Sequence, residues 1–323
     1  MAAHPILASK SFHATILAFL LGFVALRTPA SSIAVSGTST SQPSFRIATF
    51  NVENYLVRPA PGRKPKPEAS RDQVARLLSE ARPDVVALQE IGDPEALADL
   101  QRRLAIQGLN LPHAEIVRGH DTNICVAVLS RFPFLHRRPH TNESFLLDER
   151  RIKASRGFAE VSFSPAPGHR VVLVAAHLKS KRAVGLAAEA EMREQEAILL
   201  REKADAILAA ERDANLVVCG DFNDTPDSRA LRALVGRGNM ALIDTRPAEP
   251  GLTRDASLPA KRTITWTHHF AREDAYARID YILVSRGLAR EWRREETHIH
   301  TTPNWGLASD HRLLVATFDA TDR

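Results

Sequence analysis

Five stretches of this chain run apolar for several residues and then end on a carboxylate, an amide or an imidazole. They are RIATFN ending at Asn51, DVVALQE ending at Glu90, VVLVAAH ending at His177, NLVVCGDFN carrying Asp221 and Asn223, and a closing pair, RIDYILVS with Asp280 and SDH with Asp310 and His311. Runs this short, rich in Val, Ile, Leu and Phe, read as buried β-strands. Their polar ends are therefore expected to crowd one mouth.

The intervening sequence supplies helices and further strands. Ser70 with Gln73 spells a capping box for a helix reaching Ala81, and Pro83 stops it. Asp93 and Pro94 repeat the start signal, as N-cap and first-turn proline, for a helix to about Ile106. Strands are expected at His113 to Val117, Ile124 to Ser130, Gly157 to Phe163 and Val171 to His177, the third partly alternating through Glu160 and Ser162. A long helix is expected over Leu186 to Ala210, with Ala197, Leu200, Ala204, Ile207 and Leu208 on one face and its Glu and Arg residues on a solvated outer face. The segment VRPAPGRKPKPEAS holds four prolines with Arg58, Arg63, Lys64 and Lys66, which predicts a mobile basic loop without regular structure. No internal repeat is present.

With 323 residues and 44% hydrophobic content the chain has the composition of a soluble globular protein. Because the polar strand ends span the whole length and work only together, residues 45–320 read as one domain. Residues 1–34 read as an export signal: Lys10 precedes an apolar run from Ala14 to Leu26, and small-residue cleavage sites follow at Thr28-Pro29-Ala30 or Ser32-Ile33-Ala34. Those thirteen apolar residues fall short of the ~20 that span a bilayer, so no stable membrane insertion is expected once the signal is removed. The expected location is secreted or periplasmic. Residues 35–44 form a Ser/Thr-rich tether with little to bury.

Removal of the signal takes away two cations and no acid, lowering the formal charge from +5 to +3. So modest a balance permits an anionic substrate without demanding a nucleic acid. Cys125 and Cys219 each sit inside an apolar run, which favours buried free thiols over a disulfide.

A buried Glu90 carboxylate needs a cation beside it, and a hard divalent ion with oxygen ligands answers that need. Asp280 and His311 make an acid-oriented imidazole, the carboxylate fixing the tautomer and supporting the charged ring. Gly220 lets a phosphate approach the backbone beside Asp221 and Asn223. Asp224 is expected to serve only the turn there. No Cys/His spacing suggests structural zinc.

The motifs FNVEN (50–54), LQE (88–90), GDFND (220–224), RIDYIL (278–283) and SDH (309–311), in that order, resemble the endonuclease/exonuclease/phosphatase superfamily of metal-dependent phosphoesterases, from Phe45 to Phe318. The resemblance implies an α/β fold, a four-layer α/β/β/α sandwich of two packed, mainly antiparallel sheets flanked by helices, with the site at one end of the sheets. It implies Glu90 as the central metal ligand with Asn51 and Asp310 beside it, for Mg2+, with Mn2+ or Ca2+ as alternatives. It makes His311 the general base for the attacking water and gives Asp221 and Asn223 the orientation of that water and of the phosphoryl oxygens. His177 donates to a non-bridging oxygen or protonates the leaving group.

Lys179, Lys181 and Arg182 form one basic run and Arg150, Arg151, Lys153 and Arg156 another, of which Arg156 and Lys179 are the candidates for phosphate contact. Trp266 and Trp305 line the pocket or pack its rim. GDFNDT and RIDYIL do not match the extended motifs of the inositol-phosphatase branch, and with 6% aromatics no apolar, aromatic membrane-contact hairpin of the sphingomyelinase kind is expected after the signal. A nuclease is the expectation, with nucleic acid as partner and no protein partner implied. A phosphomonoesterase, a phospholipid or sphingomyelin phosphodiesterase and, more remotely, a non-catalytic binding module stand as alternatives.

Overall fold

The computed structural model of the chain describes residues 43–182, 188–250 and 264–322. The expected export signal and nearly all of the tether lie outside the described residues, as do residues 183–187, where the long helix was expected to begin. In chain order the strands are β1 (Ser44–Tyr55), β2 (Val85–Ile91), β3 (His113–Val117), β4 (Cys125–Ser130), β5 (Phe134–His140), β6 (Ser144–Leu147), β7 (Arg150–Lys153) and β8 (Phe158–Ala166). They continue with β9 (His169–His177), β10 (Asn215–Asp221), β11 (Ile243–Asp244), β12 (His268–Phe270), β13 (Ala275–Ala277), β14 (Asp280–Val284), β15 (Trp292–His300) and β16 (Leu313–Asp319). The helices are α1 (Glu68–Ala81), α2 (Pro94–Ile106), α3 (Glu189–Ala210) and α4 (Arg229–Val235).

Two six-stranded sheets result, ordered β15-β16-β1-β2-β4-β3 and β11-β14-β10-β9-β8-β5. Each holds one parallel pair, β1 with β2 and β9 with β10; all its other pairs are antiparallel. A parallel pair needs a long crossover, and α1 and α3 provide the two. Strand alternation then sorts the core into three layers. Phe45, Ile47, Val85 and Ala87 meet Val161, Leu173, Val217 and Ile282 between the sheets. Ala48, Phe50, Val86 and Leu88 turn outward onto Val74, Leu78, Leu97 and Leu100 of α1 and α2. Val174, Ala176, Val218 and Leu283 turn outward onto Ala197, Leu200, Ala204 and Leu231 of α3 and α4. The central strands are buried on both faces, which is why they read as unbroken apolar runs.

Four local expectations change. The capping box at Ser70 does not form: α1 begins at Glu68 with Pro67 preceding it, and Gln73 instead donates to the Thr302 hydroxyl at 3.4 Å. The basic proline segment is ordered by a tight turn in which Ala60 and Arg63 pair across Gly62, and Lys66 is buried with its amine donating to the Glu53 carbonyl at 2.9 Å. On α3, Arg193, Glu196 and Arg201 are buried rather than solvated, because each meets backbone groups that would otherwise lack partners. Arg201, for example, donates to the Val235 carbonyl at the end of α4 and to the Met240 carbonyl, both at 2.8 Å. Asp224 does more than close its turn, since Arg193 Nε donates to it at 2.9 Å. Asp93 caps α2 as expected, accepting from the Ala96 N–H at 2.8 Å, and both cysteines are free and buried.

Candidate active site

The ends of β1, β2, β9, β10 and β14 bring residues from across the chain to one place. Asn51 is the hub: its Nδ2 donates to Asp221 Oδ2 at 3.0 Å and lies 3.4 Å from Glu90 Oε1. Its Oδ1 accepts from the Glu53 N–H at 3.0 Å, and its carbonyl accepts from the Ser309 hydroxyl at 2.7 Å. Ser309 in turn accepts from the His311 N–H at 3.0 Å, which ties the last motif to the first.

Glu90 reaches this place through an irregularity. The pairing of β2 with β4 shifts register between Gln89 and Ile91, and Glu90 adopts φ +66°, a left-handed conformation. A bulge of that kind re-aims a side chain that regular alternation would send elsewhere. Glu53, Asn54 and Asn223 also have positive φ. Such backbone is costly and concentrates at functional sites.

His311 Nδ1 lies 2.9 Å from Asp280 Oδ2, and His311 Nε2 lies 3.7 Å from Asp221 Oδ2. Burial opposes charge on this ring, but Asp280 and Asp221 outweigh it and hold the imidazolium pKa above the usual histidine range. Burial raises the Asp221 carboxyl, with Asp280 adding to the rise while His311 opposes it. His177 Nε2 is 3.4 Å from Asp221 Oδ2; burial, then Arg156 and His311, hold its ring neutral. Asn223 fastens Asp221 in place, its N–H donating to Asp221 Oδ1 at 2.9 Å and its Nδ2 to the Leu178 carbonyl at 3.0 Å.

Asp310 is more open, its side chain 41% exposed, with His268 Nε2 3.5 Å away. Burial opposes its charge, yet His268 and His311 outweigh this and keep its carboxyl below the usual range. Glu53 is raised by burial and by the nearby charges of Asp310 and Glu90, against the pull of Lys66. Three carboxylates, Glu53, Glu90 and Asp310, thus share one region with the buried Lys66 ammonium. That excess of anionic oxygen suits a divalent ion, for which Asn51, Glu90 and Asp310 are the expected holders. Among the described residues, the donor atoms that already lie within 4.8 Å of one another at this mouth are those of His268, Asp310 and His311 and of Asp221, Asp280 and His311, with Glu90 in neither group.

The sequence reading did not single out Glu53, Lys66 or His268 as site residues. Lys66 sits among prolines and reads as loop charge, and His268 is one of two adjacent histidines with no spacing signal. His268 is brought in by the hairpin β12–β13: it bridges to His311, and its ring centroid lies 4.5 Å from that of His311.

Gly220 has φ +141°, and a Cβ there would lie 1.9 Å from the Ala176 carbonyl oxygen. The glycine is therefore required by the close approach of β9, whatever reaches the mouth. Arg156 and Lys179 both line an open cleft of about 890 Å³ that also contains Glu90, Arg63, Arg150, Arg151, Lys153 and Arg182. The Lys179 amine is occupied by its own loop, donating to the carbonyls of Ser180 at 2.8 Å and Arg182 at 2.5 Å. Glu196 accepts from the N–H groups of Ser155 at 2.7 Å and Lys179 at 2.6 Å, so it braces the backbone beside both residues. Trp266 and Trp305 pack the rim, stacking about the Arg312 guanidinium.

Similar architecture occurs in several solved structures. Truncated Caenorhabditis elegans TDP2 is 18% identical, with 85% of this chain and 97% of that one covered at a TM-score of 0.57. The human Nocturnin catalytic domain is 17% identical, with 86% and 95% covered at 0.58. Sphingomyelinase C from Streptomyces griseocarneus is 21% identical, with 86% and 100% covered at 0.57. Among curated proteins none matches the sequence. The sequence model of the Endonuclease/Exonuclease/phosphatase family matches residues 48–311, which include every strand end that forms the mouth. The chain belongs to the endonuclease/exonuclease/phosphatase family of metal-dependent phosphoesterases.

Proposed function

We propose that this chain is an exported phosphodiesterase that cleaves nucleic acid with a divalent ion at Glu90, Asp310 and Asn51. The observation that carries the substrate is the basic cleft that includes Glu90, lined by Arg63, Arg150, Arg151, Lys153, Arg156 and Arg182 against Asp121, the single further acid among the described residues there. A monoester has one phosphate to hold, whereas a polynucleotide presents a row of them to such a cleft. Export rests on the signal read in residues 1–34.

When bound, the ion polarises a phosphoryl oxygen and offsets the charge that develops on it. The chain's own residues handle the protons. Asp280 keeps a proton on His311 Nδ1, so Nε2 faces the mouth beside Asp221. Asp221, 3.7 Å from His311 Nε2, accepts the proton of the attacking water while the charged His311 ring donates a hydrogen bond to a phosphoryl oxygen. The base role thereby falls to Asp221, where the sequence alone pointed to His311. Neutral His177 donates a hydrogen bond to a second oxygen. Arg156 supplies charge from the cleft wall, and Asn223 holds Asp221 rather than substrate.

A phospholipid phosphodiesterase is the second reading, favoured by apolar exposure around the β12–β13 hairpin that carries His268. Phe270 is 40% exposed, Tyr276 54% and Leu307 50%. Trp266, Phe270 and Tyr276 belong to the β12–β13 hairpin or stand beside it, and Trp305 joins them through ring contact with Trp266, so the structure has an aromatic hairpin that the sequence reading did not find. Mature protein assayed with Mg2+, Mn2+ or Ca2+ against plasmid DNA, RNA, bis(p-nitrophenyl) phosphate, p-nitrophenyl phosphate and sphingomyelin separates the readings. Salt-sensitive cleavage of DNA or RNA is expected. Turnover confined to sphingomyelin, or to the monoester, would overturn the nuclease assignment.

A further inference from the structure

At the far end of the sandwich a second group of metal-ligating side chains comes together. His169 and His177 are the first and last residues of β9, so their backbones lie about 26 Å apart along the strand. His169 Nε2 lies 2.8 Å from Glu291 Oε2, and the donor atoms of His169, Glu291 and Asp322 all fall within 4.8 Å of one another. His169 and Glu291 are each only 1% exposed.

The two buried groups are not satisfied by each other. Despite the short separation, the angles make no hydrogen bond, and among the described residues both nitrogens of His169 and both carboxylate oxygens of Glu291 lack a hydrogen-bond partner. Asn215 joins the group, donating through Nδ2 to Asp322 Oδ1 at 3.2 Å while its own buried Oδ1 has no partner. A buried carboxylate and imidazole left in this state cost free energy that a bound cation removes. Two carboxylates also balance the charge of a divalent ion with the imidazole neutral.

We propose that His169, Glu291 and Asp322, with the Asn215 amide oxygen beside them, bind a divalent transition-metal ion of the zinc kind. One imidazole nitrogen with carboxylate oxygens is a donor set for such an ion, whereas the oxygen donors of Asn51, Glu90 and Asp310 suit a hard one. The ion is structural. His169 belongs to β9 in one sheet, while Glu291 precedes β15 and Asp322 follows β16 in the other, so coordination stitches the two sheets at the end remote from catalysis.

The test uses the full chain carrying Glu90→Gln, which weakens the catalytic site, stripped with chelator and titrated with Zn2+ or Co2+. One tightly held equivalent by elemental analysis, a rise in Tm and a visible Co2+ absorption band from nitrogen ligation are expected. Asp322→Ala, a change at an exposed position, should fold normally, weaken the ion at least tenfold and leave catalytic turnover in the otherwise unaltered chain intact. His169→Asn should abolish the Co2+ band. An absence of any retained ion and of any Tm shift overturns the proposal, as does ion affinity unchanged by Asp322→Ala. Neither result bears on the catalytic reading, which rests on different residues.

Discussion

His311 Nδ1 stands 2.9 Å from Asp280 Oδ2, with both side chains buried and 31 positions apart in the chain. Asp280→Asn keeps the shape and withdraws the largest charge that supports the imidazolium, so burial is opposed only by Asp221 and Asp310 and the pKa falls. Turnover should fall about 10²–10⁴-fold. If the charged ring is the working form, the alkaline limb of the kcat/KM profile moves to lower pH. Movement of the acid limb instead would return the base role to His311 alone.

Glu90 is re-aimed into the mouth by its bulge and accepts the Asn54 N–H at 2.9 Å. Glu90→Gln preserves that acceptor but removes a charge from the carboxylate region shared with Glu53 and Asp310. The divalent ion concentration for half-maximal activity should rise at least roughly tenfold, with Tm in the presence of chelator nearly unchanged. An unaltered ion requirement would place the ion elsewhere.

Arg150, Arg151 and Lys153 on β7 reach the cleft from outside the reacting centre. Joint replacement of the three by alanine should raise KM for polynucleotide and flatten its salt dependence while sparing bis(p-nitrophenyl) phosphate. Equal losses on both substrates would show that the strand acts on the catalytic residues and not on a polyanion.

Gly220 cannot carry a side chain without moving β9, because the added carbon meets the Ala176 carbonyl and φ is unfavourable. Gly220→Ala should cost about 3 kcal/mol or more of stability by urea denaturation. A loss under about 1 kcal/mol would mean that the two strands separate easily.

Burial, with His298 adding to it, lowers the His300 pKa to about 4 from its ordinary 6.5. A depressed histidine contributes stability that is present above pH 6.5 and lost as pH falls toward 4, because the unfolded chain takes up the proton first. Glu80, 4.0 Å away, reduces the effect by favouring the charged ring. His300→Asn should therefore flatten the fall of Tm between pH 6.5 and 4. An identical slope in both proteins would show that other groups carry the acid sensitivity.

The sandwich was legible in runs such as DVVALQE and VVLVAAH because a strand buried on both faces must be apolar at every position, a local demand that leaves a local mark. The polar residues that meet at the candidate site were legible for the same reason, standing where those runs stop, and the family resemblance joined Asn51 to Asp221 across 170 positions. Part of α3 was within reach too: Arg193 and Glu196 fall on the stripe of Ala197, Leu200 and Ala204, a spacing that signals burial even for charged residues. Tertiary structure alone decided the rest. Lys66, His268 and the His169–Glu291 pair have polar side chains whose burial depends on partners distant in sequence, and a single charged residue carries no periodic signal of what will cover it. The sequence therefore determined where the chain builds its sheets and ends them, while packing decided which charges those sheets enclose.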